Sequence, residues 1–145
     1  MFVVALSTGG NPGTPPAILH NYFNPNTSSP SIPVGMACVF DYALSPDGAS
    51  VNIAVTTTQQ FPAGVCYNRQ IDPQSYGLVQ SFGTHPAVLV NGTISIGTPL
   101  AIQVGVAQLA VATLVATLTG QFKPCFVAAQ ASSGTTTTKV AISCL

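Results

Sequence analysis

The chain predicts an all-β protein, an antiparallel sandwich or barrel of about eight to ten short strands, preceded by an extended Pro-rich N-terminal arm. Three observations carry this. Apolar residues recur with period two through most of residues 36–145. Gly, Pro, Asn and Asp punctuate those runs at short intervals. Six of the 12 prolines lie at or before Pro33. The division expected is an arm over 1–35 and a single β domain over 36–145.

In the arm, Pro12, Pro15, Pro16, Pro25, Pro30 and Pro33 fix φ and remove donors, which argues against a long helix or a central strand. Its one apolar island is Ala17-Ile18-Leu19-His20-Asn21-Tyr22-Phe23, expected to dock onto a body, its own or a neighbour's. Phe2, Ile18, Leu19, Tyr22 and Phe23 are the candidate anchors for a partner, because large apolar side chains dominate interface energetics. Removal of residues 1–33 is then expected to leave a folded body.

The body begins with an alternating run through Val39, Asp41 and Ala43. Ser45-Pro46-Asp47-Gly48 turns it back into Val51, Ile53 and Val55, a hairpin signal. Phe61-Pro62-Ala63-Gly64 breaks the pattern before Val65-Cys66-Tyr67. Gly83-Thr84-His85-Pro86 reads as a turn, with His85 in a loop. Val88-Leu89-Val90 and Thr93 to Ile96 flank Asn91-Gly92, the strongest two-residue hairpin turn. From Leu100 to Val106 large and small residues alternate, which favours a half-buried strand over a membrane span. Residues 106–118 read as strand, with helix as the alternative. Phe122 to Ala129 and Thr135 to Cys144 close the series around Ser132-Ser133-Gly134. No internal repeat is evident.

Composition narrows function. Only Asp41, Asp47, Asp72, Arg69, Lys123 and Lys139 carry a formal charge, 4% of the chain, with net charge zero. An ordinary globular domain is about 25% charged. No basic cluster supports nucleic-acid binding or an electrostatic membrane anchor. Catalysis would have to draw on two His, three Asp and four Tyr in no recognisable spacing. Asp47 and Asp72 are explained by turns, and Asp41 either pairs with Arg69 or faces water. The expectation is no enzyme, no catalytic residues, no metal and no cofactor. Cys38, Cys66, Cys125 and Cys144 lack metal-ligand spacing and read as buried thiols, with Cys125–Cys144 the easiest pairing if disulfides form. A neutral, Thr-rich surface of this kind favours association.

From Tyr76 onward the chain resembles the small decoration, or cement, proteins of tailed bacteriophage heads. The likeness rests on Tyr76-Gly77-Leu78-Val79-Gln80, Ala87 to Gly92, Ile96-Gly97-Thr98-Pro99-Leu100, Pro124 to Gln130, and Lys139-Val140-Ala141-Ile142-Ser143. It covers about half of the chain and brings no catalytic signature. The resemblance implies a virion protein on the outer capsid surface, a major capsid protein as partner, stabilisation of the head, and a homotrimer. The alternatives are a self-assembling fibre, pilus or surface-layer subunit and a carbohydrate-binding β module. Without Trp, such a module would rest on an exposed Tyr or Phe platform.

Overall fold

The structure, a computed structural model, describes residues 3–6, 17–28, 30–42, 47–53, 61–103, 108–111 and 125–144. These residues form ten strands: β1 (Val3–Leu6), β2 (Ala17–Phe23), β3 (Ala37–Phe40), β4 (Val51–Asn52), β5 (Pro62–Cys66), β6 (Tyr76–Val90), β7 (Pro99–Gln103), β8 (Gln108–Val111), β9 (Phe126–Ala128) and β10 (Thr136–Ser143). The fold is all-β and almost wholly antiparallel, with no helix among the described residues. Among the described residues no helix is long and apolar enough to cross a membrane.

The organising element is β6, which runs for 15 residues. Its first half pairs with β2, from Phe23↔Tyr76 to Ile18↔Phe82, and with β5 at Val65↔Gln80 and Cys66↔Val79. Its second half pairs with β10, from Ser143↔Phe82 to Thr136↔Val90. The pairings return on themselves twice. One ring runs β2–β6–β5–β3–β4 and comes back to β2 through the parallel bridge Phe23↔Ser50. The other runs β6–β10–β9–β7–β8 and comes back to β6 through the parallel pair Val90↔Leu109.

The two rings follow one plan. In chain order, the first strand pairs with the fifth, the fifth with the fourth, the fourth with the second and the second with the third. A parallel contact then joins the third to the first, and β6 serves as fifth strand of one ring and first of the next. The bridge Ile32↔Ile71 in the first ring is answered by Ile94↔Ser132 in the second. Gly35 N–H bonds to Cys66 O at 2.9 Å, and Gly97 N–H to Ala128 O at 2.8 Å. Met36 N–H meets Pro33 O, and Thr98 N–H meets Ser95 O, both at 3.2 Å. The chain therefore contains a structural repeat that its sequence does not advertise.

Two packed clusters fill the rings. Tyr22, Ile32, Cys38, Val51, Ala63, Cys66, Ile71 and Val79 form one. Val88, Val90, Ile94, Leu100, Leu109, Phe126, Ala128, Val140 and Ile142 belong to the other, joined by Ala37 and Val65. Neighbours on β3 and β5 thus face different clusters: Ala37 against Cys38, and Val65 against Cys66. Both strands are buried on both faces, which removes the apolar–polar alternation a one-sided strand would show. On β10 the alternation survives: Thr138, Val140 and Ile142 are buried while Lys139 and Ala141 are exposed. Fully burying one large aliphatic side chain contributes about 1.5–3 kcal/mol, so the two clusters dominate stability.

Several expectations need correction. Residues 17–32 are not an arm set apart from the body. Ala17–Phe23 is a strand between β1 and β6, and Ile32 bridges Ile71. Pro16 and Pro25 flank that strand without entering it, so its donors are intact. Removing residues 1–33 would take a wall strand away. Gly83-Thr84-His85-Pro86 is no turn but the middle of β6. A register shift in the β6–β10 ladder, between Thr138↔Val88 and Val140↔His85, leaves Pro86 without a pairing partner, so its missing N–H costs no ladder bond. Asn91-Gly92 is not a two-residue hairpin turn: β10 takes the neighbouring position on β6, and Ile94 pairs with Ser132. Gly92 has φ 99°, but Asn91 does not share the positive φ a type I′ turn requires at both positions.

Other expectations are met at least in part. The β3–β4 hairpin forms, with Val39↔Asn52 and Phe40↔Val51, but β3 ends at Phe40, before Asp41, and β4 is only Val51–Asn52. β7 alternates from buried Leu100 to exposed Ala101 and Gln103. Within 106–118, Gln108–Val111 is strand, and the rest lies outside the described residues.

Candidate functional site

Aromatic rings run in an unbroken line from the core of the first ring to the surface. Tyr22, buried on β2, meets Phe40 of β3 edge-on with ring centroids 5.5 Å apart. Phe40 lies 5.6 Å from Tyr42, and Tyr42 meets Phe61 edge-on at 5.7 Å. Tyr42 is 45% exposed and Phe61 65% exposed. Phe61 is placed by its own carbonyl, which accepts Phe40 N–H at 2.9 Å just before β5 begins. Gly48 comes within 4.0 Å of Phe40 and Tyr42 once a Cβ is drawn on it, so the β3–β4 turn lies beside the aromatic row. A second exposed ring, Tyr76, packs on Phe23 at 5.0 Å.

Beneath the row lies a buried polar network. Asp41 is 2% exposed and accepts from Asn52 Nδ2 at 3.2 Å. Asn52 Oδ1 accepts from Asn26 Nδ2 at 2.9 Å and from Ile53 N–H at 2.8 Å. Asn26 Nδ2 also donates to Asn24 Oδ1 at 2.8 Å. Asn24, wholly buried, donates through Nδ2 to Pro30 O and Ile71 O, both at 3.1 Å. These amides tie Asn24, Asn26 and Pro30 to Asn52 and Ile71 of the first ring. Asp41 therefore belongs to a structural network and does not face water. Asp47 caps its turn through Ala49 N–H, and Asp72 accepts from Gln70 Nε2 at 2.6 Å and Ser31 Oγ at 3.3 Å.

The sequence-chosen anchors fall differently. Leu19 and Tyr22 are buried in the chain's own core, so their apolar surface is already used. Ile18 and Phe23 are half-buried on β2, paired with Phe82 and Tyr76. Phe2 lies outside the described residues. The exposed rings Tyr42, Phe61 and Tyr76 were not among the candidates. The signal is present in the sequence: Phe40 closes β3 and Tyr42 stands two residues on, just before Ser45-Pro46-Asp47-Gly48.

Both histidines are buried. His85 accepts Ala87 N–H on Nδ1 at 3.2 Å, which leaves Nε2 to donate to Tyr67 O at 3.3 Å. Its pKa lies below 6.5, chiefly because burial disfavours the charged form. His20 stacks on Tyr22 at 5.7 Å, neither ring nitrogen has a hydrogen-bond partner, and burial lowers its pKa too. Among the described residues no cluster of His, Cys and Asp has the makings of a metal site. Chemically, the aromatic row offers flat apolar faces with hydroxyl rims, suited to contact with another apolar surface or with the face of a sugar ring. Comparison with protein-family models and with curated proteins finds no match.

Proposed function

We propose that this chain is a non-catalytic structural protein that binds the outer surface of a phage capsid and stabilises the head by bridging subunits of the major capsid protein. The observation that carries the reading is the row Phe40–Tyr42–Phe61 reaching the surface of a chain with only 4% charged residues. Exposed aromatic rings on a nearly uncharged body suit a dry contact that gains little from salt-sensitive attraction. The sequence resemblance to cement proteins supplies the partner and suggests a homotrimer. Three copies around a symmetry axis would sum weak contacts through effective concentration.

The test is to add the purified chain to shells assembled from the cognate capsid protein alone. Co-sedimentation and a higher melting temperature of the shells are expected, both lost in Tyr42→Ser/Phe61→Ser. Absence of binding, or filaments formed by the chain without shells, would replace this reading. The same exposed rings favour one second reading, a carbohydrate-binding module. Saturable binding to a glycan array, abolished by the same double variant, would select it.

A further inference from the structure

Cys125 directly precedes β9 and Cys144 directly follows β10. These strands pair antiparallel through Ile142↔Phe126, and the contact continues as Ser143 N–H bonds to Cys125 O at 2.7 Å. Cys144 is held from the other side, its N–H on Ser81 O at 2.9 Å. In register the two cysteines are offset by one, which inside a ladder would send them to opposite faces. Each stands just outside its strand, and both side chains pack against the same core of the second ring. Each thiol is the largest influence on the other's protonation. Both residues are partly exposed, whereas Cys38 and Cys66 are buried. We propose that Cys125 and Cys144 are a redox pair that closes into an intrachain disulfide, with a small disulfide compound such as oxidised glutathione as oxidant.

The roles of the two sulfurs differ. The neighbouring Cys144 thiol holds Cys125 down at about 7, so part of it is thiolate near neutral pH. The same contact and burial push Cys144 up. The Cys125 thiolate attacks one sulfur of glutathione disulfide and expels one glutathione thiolate, giving a mixed disulfide. Cys144 then loses its proton to solvent, attacks the Cys125 sulfur and expels the second glutathione thiolate. Two protein thiols are oxidised and one small disulfide is reduced to two thiols. The bond would tie the last strand of the chain to the entry of β9. This proposal does not depend on the capsid reading.

The test uses the intact folded chain, incubated with oxidised glutathione, blocked with an alkylating reagent and mapped by peptide mass spectrometry. A Cys125–Cys144 cross-linked peptide lacking two hydrogens is expected, with Cys38 and Cys66 alkylated only after denaturation. The oxidised chain should melt about 5–10 °C above the reduced one. In Cys144→Ser the glutathione adduct should persist on Cys125. A lasting adduct on Cys125 of the unaltered chain, with Cys144 still open to alkylation, would overturn the proposal. So would cross-links only between molecules.

Discussion

Gly35 and Gly97 occupy equivalent places in the two rings, with φ of 80° and 81°. Their surroundings differ. A Cβ on Gly35 would run into the Ala87 carbonyl, whereas a Cβ on Gly97 meets nothing within 4 Å. Gly97→Ala should therefore cost only the backbone strain of a left-handed alanine, about 1–2 kcal/mol. Gly35→Ala adds a backbone collision at the base of β6 and should cost at least about 3 kcal/mol. Urea unfolding of the two variants measures the gap, and equal losses would mean that the repeat is symmetric in energy as well as in geometry.

Stability should fall in mild acid. Both histidines have folded-state pKa values below the 6.5 of an exposed imidazole. The unfolded chain therefore takes up protons that the folded chain refuses. The stabilisation is fully present above about pH 6.5 and is lost as pH falls through that value toward the folded pKa values. For His85 the conflict is explicit, because a proton on Nδ1 would face the Ala87 N–H that now donates to it. Thermal melts between about pH 8 and pH 5 should show a plateau and then a decline, flattened in His20→Gln/His85→Gln.

Asn24 is the test of the buried amide network. Asn24→Ala removes the Nδ2 that donates to both the Pro30 and Ile71 carbonyls, leaving Ile71 O with Ile32 N–H and Pro30 O with the long contact from Asn26, and should cost about 1–3 kcal/mol. Asn24→Asp keeps the size but turns a carboxylate toward both carbonyls, and should cost more than the alanine at neutral pH. Chemical denaturation of both variants gives the order, and the reverse order would show that Nδ2 is not the essential group.

Deleting residues 1–33 should abolish cooperative folding of the first ring. The cut removes β2 with Leu19 and Tyr22, the Asn24 amide and the Ile32 side of the Ile32↔Ile71 bridge. Near-ultraviolet dichroism and a dye that binds exposed apolar surface report the outcome. A sharp melting transition with native amplitude in the truncated chain would contradict it.

Much of the fold was legible in the residues. Wherever a strand has one wet face, its period-two pattern shows, as in Leu100 to Gln103 and Thr136 to Ser143. What stayed hidden has a common cause. Gly83 and Pro86 read as punctuation, but Gly83 takes φ 100° within the strand and Pro86 falls where the ladder asks for no donor, so only the Val88-Leu89-Val90 end of the longest strand shows in the sequence. With the rest of β6 hidden, neither the second use of that strand nor the repeat can be seen. Pro62 and Gly64 hid β5 in the same way, although Gly64 is required there, because a Cβ would strike the Gln80 carbonyl. Proline is dense over residues 1–35 as a whole, but the seven residues of β2 contain none, and there the chain is free to pair. Strand alternation does not point to the exposed aromatics, because Tyr42 lies beyond the end of β3 and Phe61 just before β5.

The single strand common to both rings has a bearing on how the molecule comes apart. Neither half owns a complete set of hydrogen-bonding neighbours without β6, so neither can melt while leaving the other's perimeter whole. Amide exchange should be slowest along Val79 to Val90, and the protein should denature as one cooperative unit despite carrying two cores.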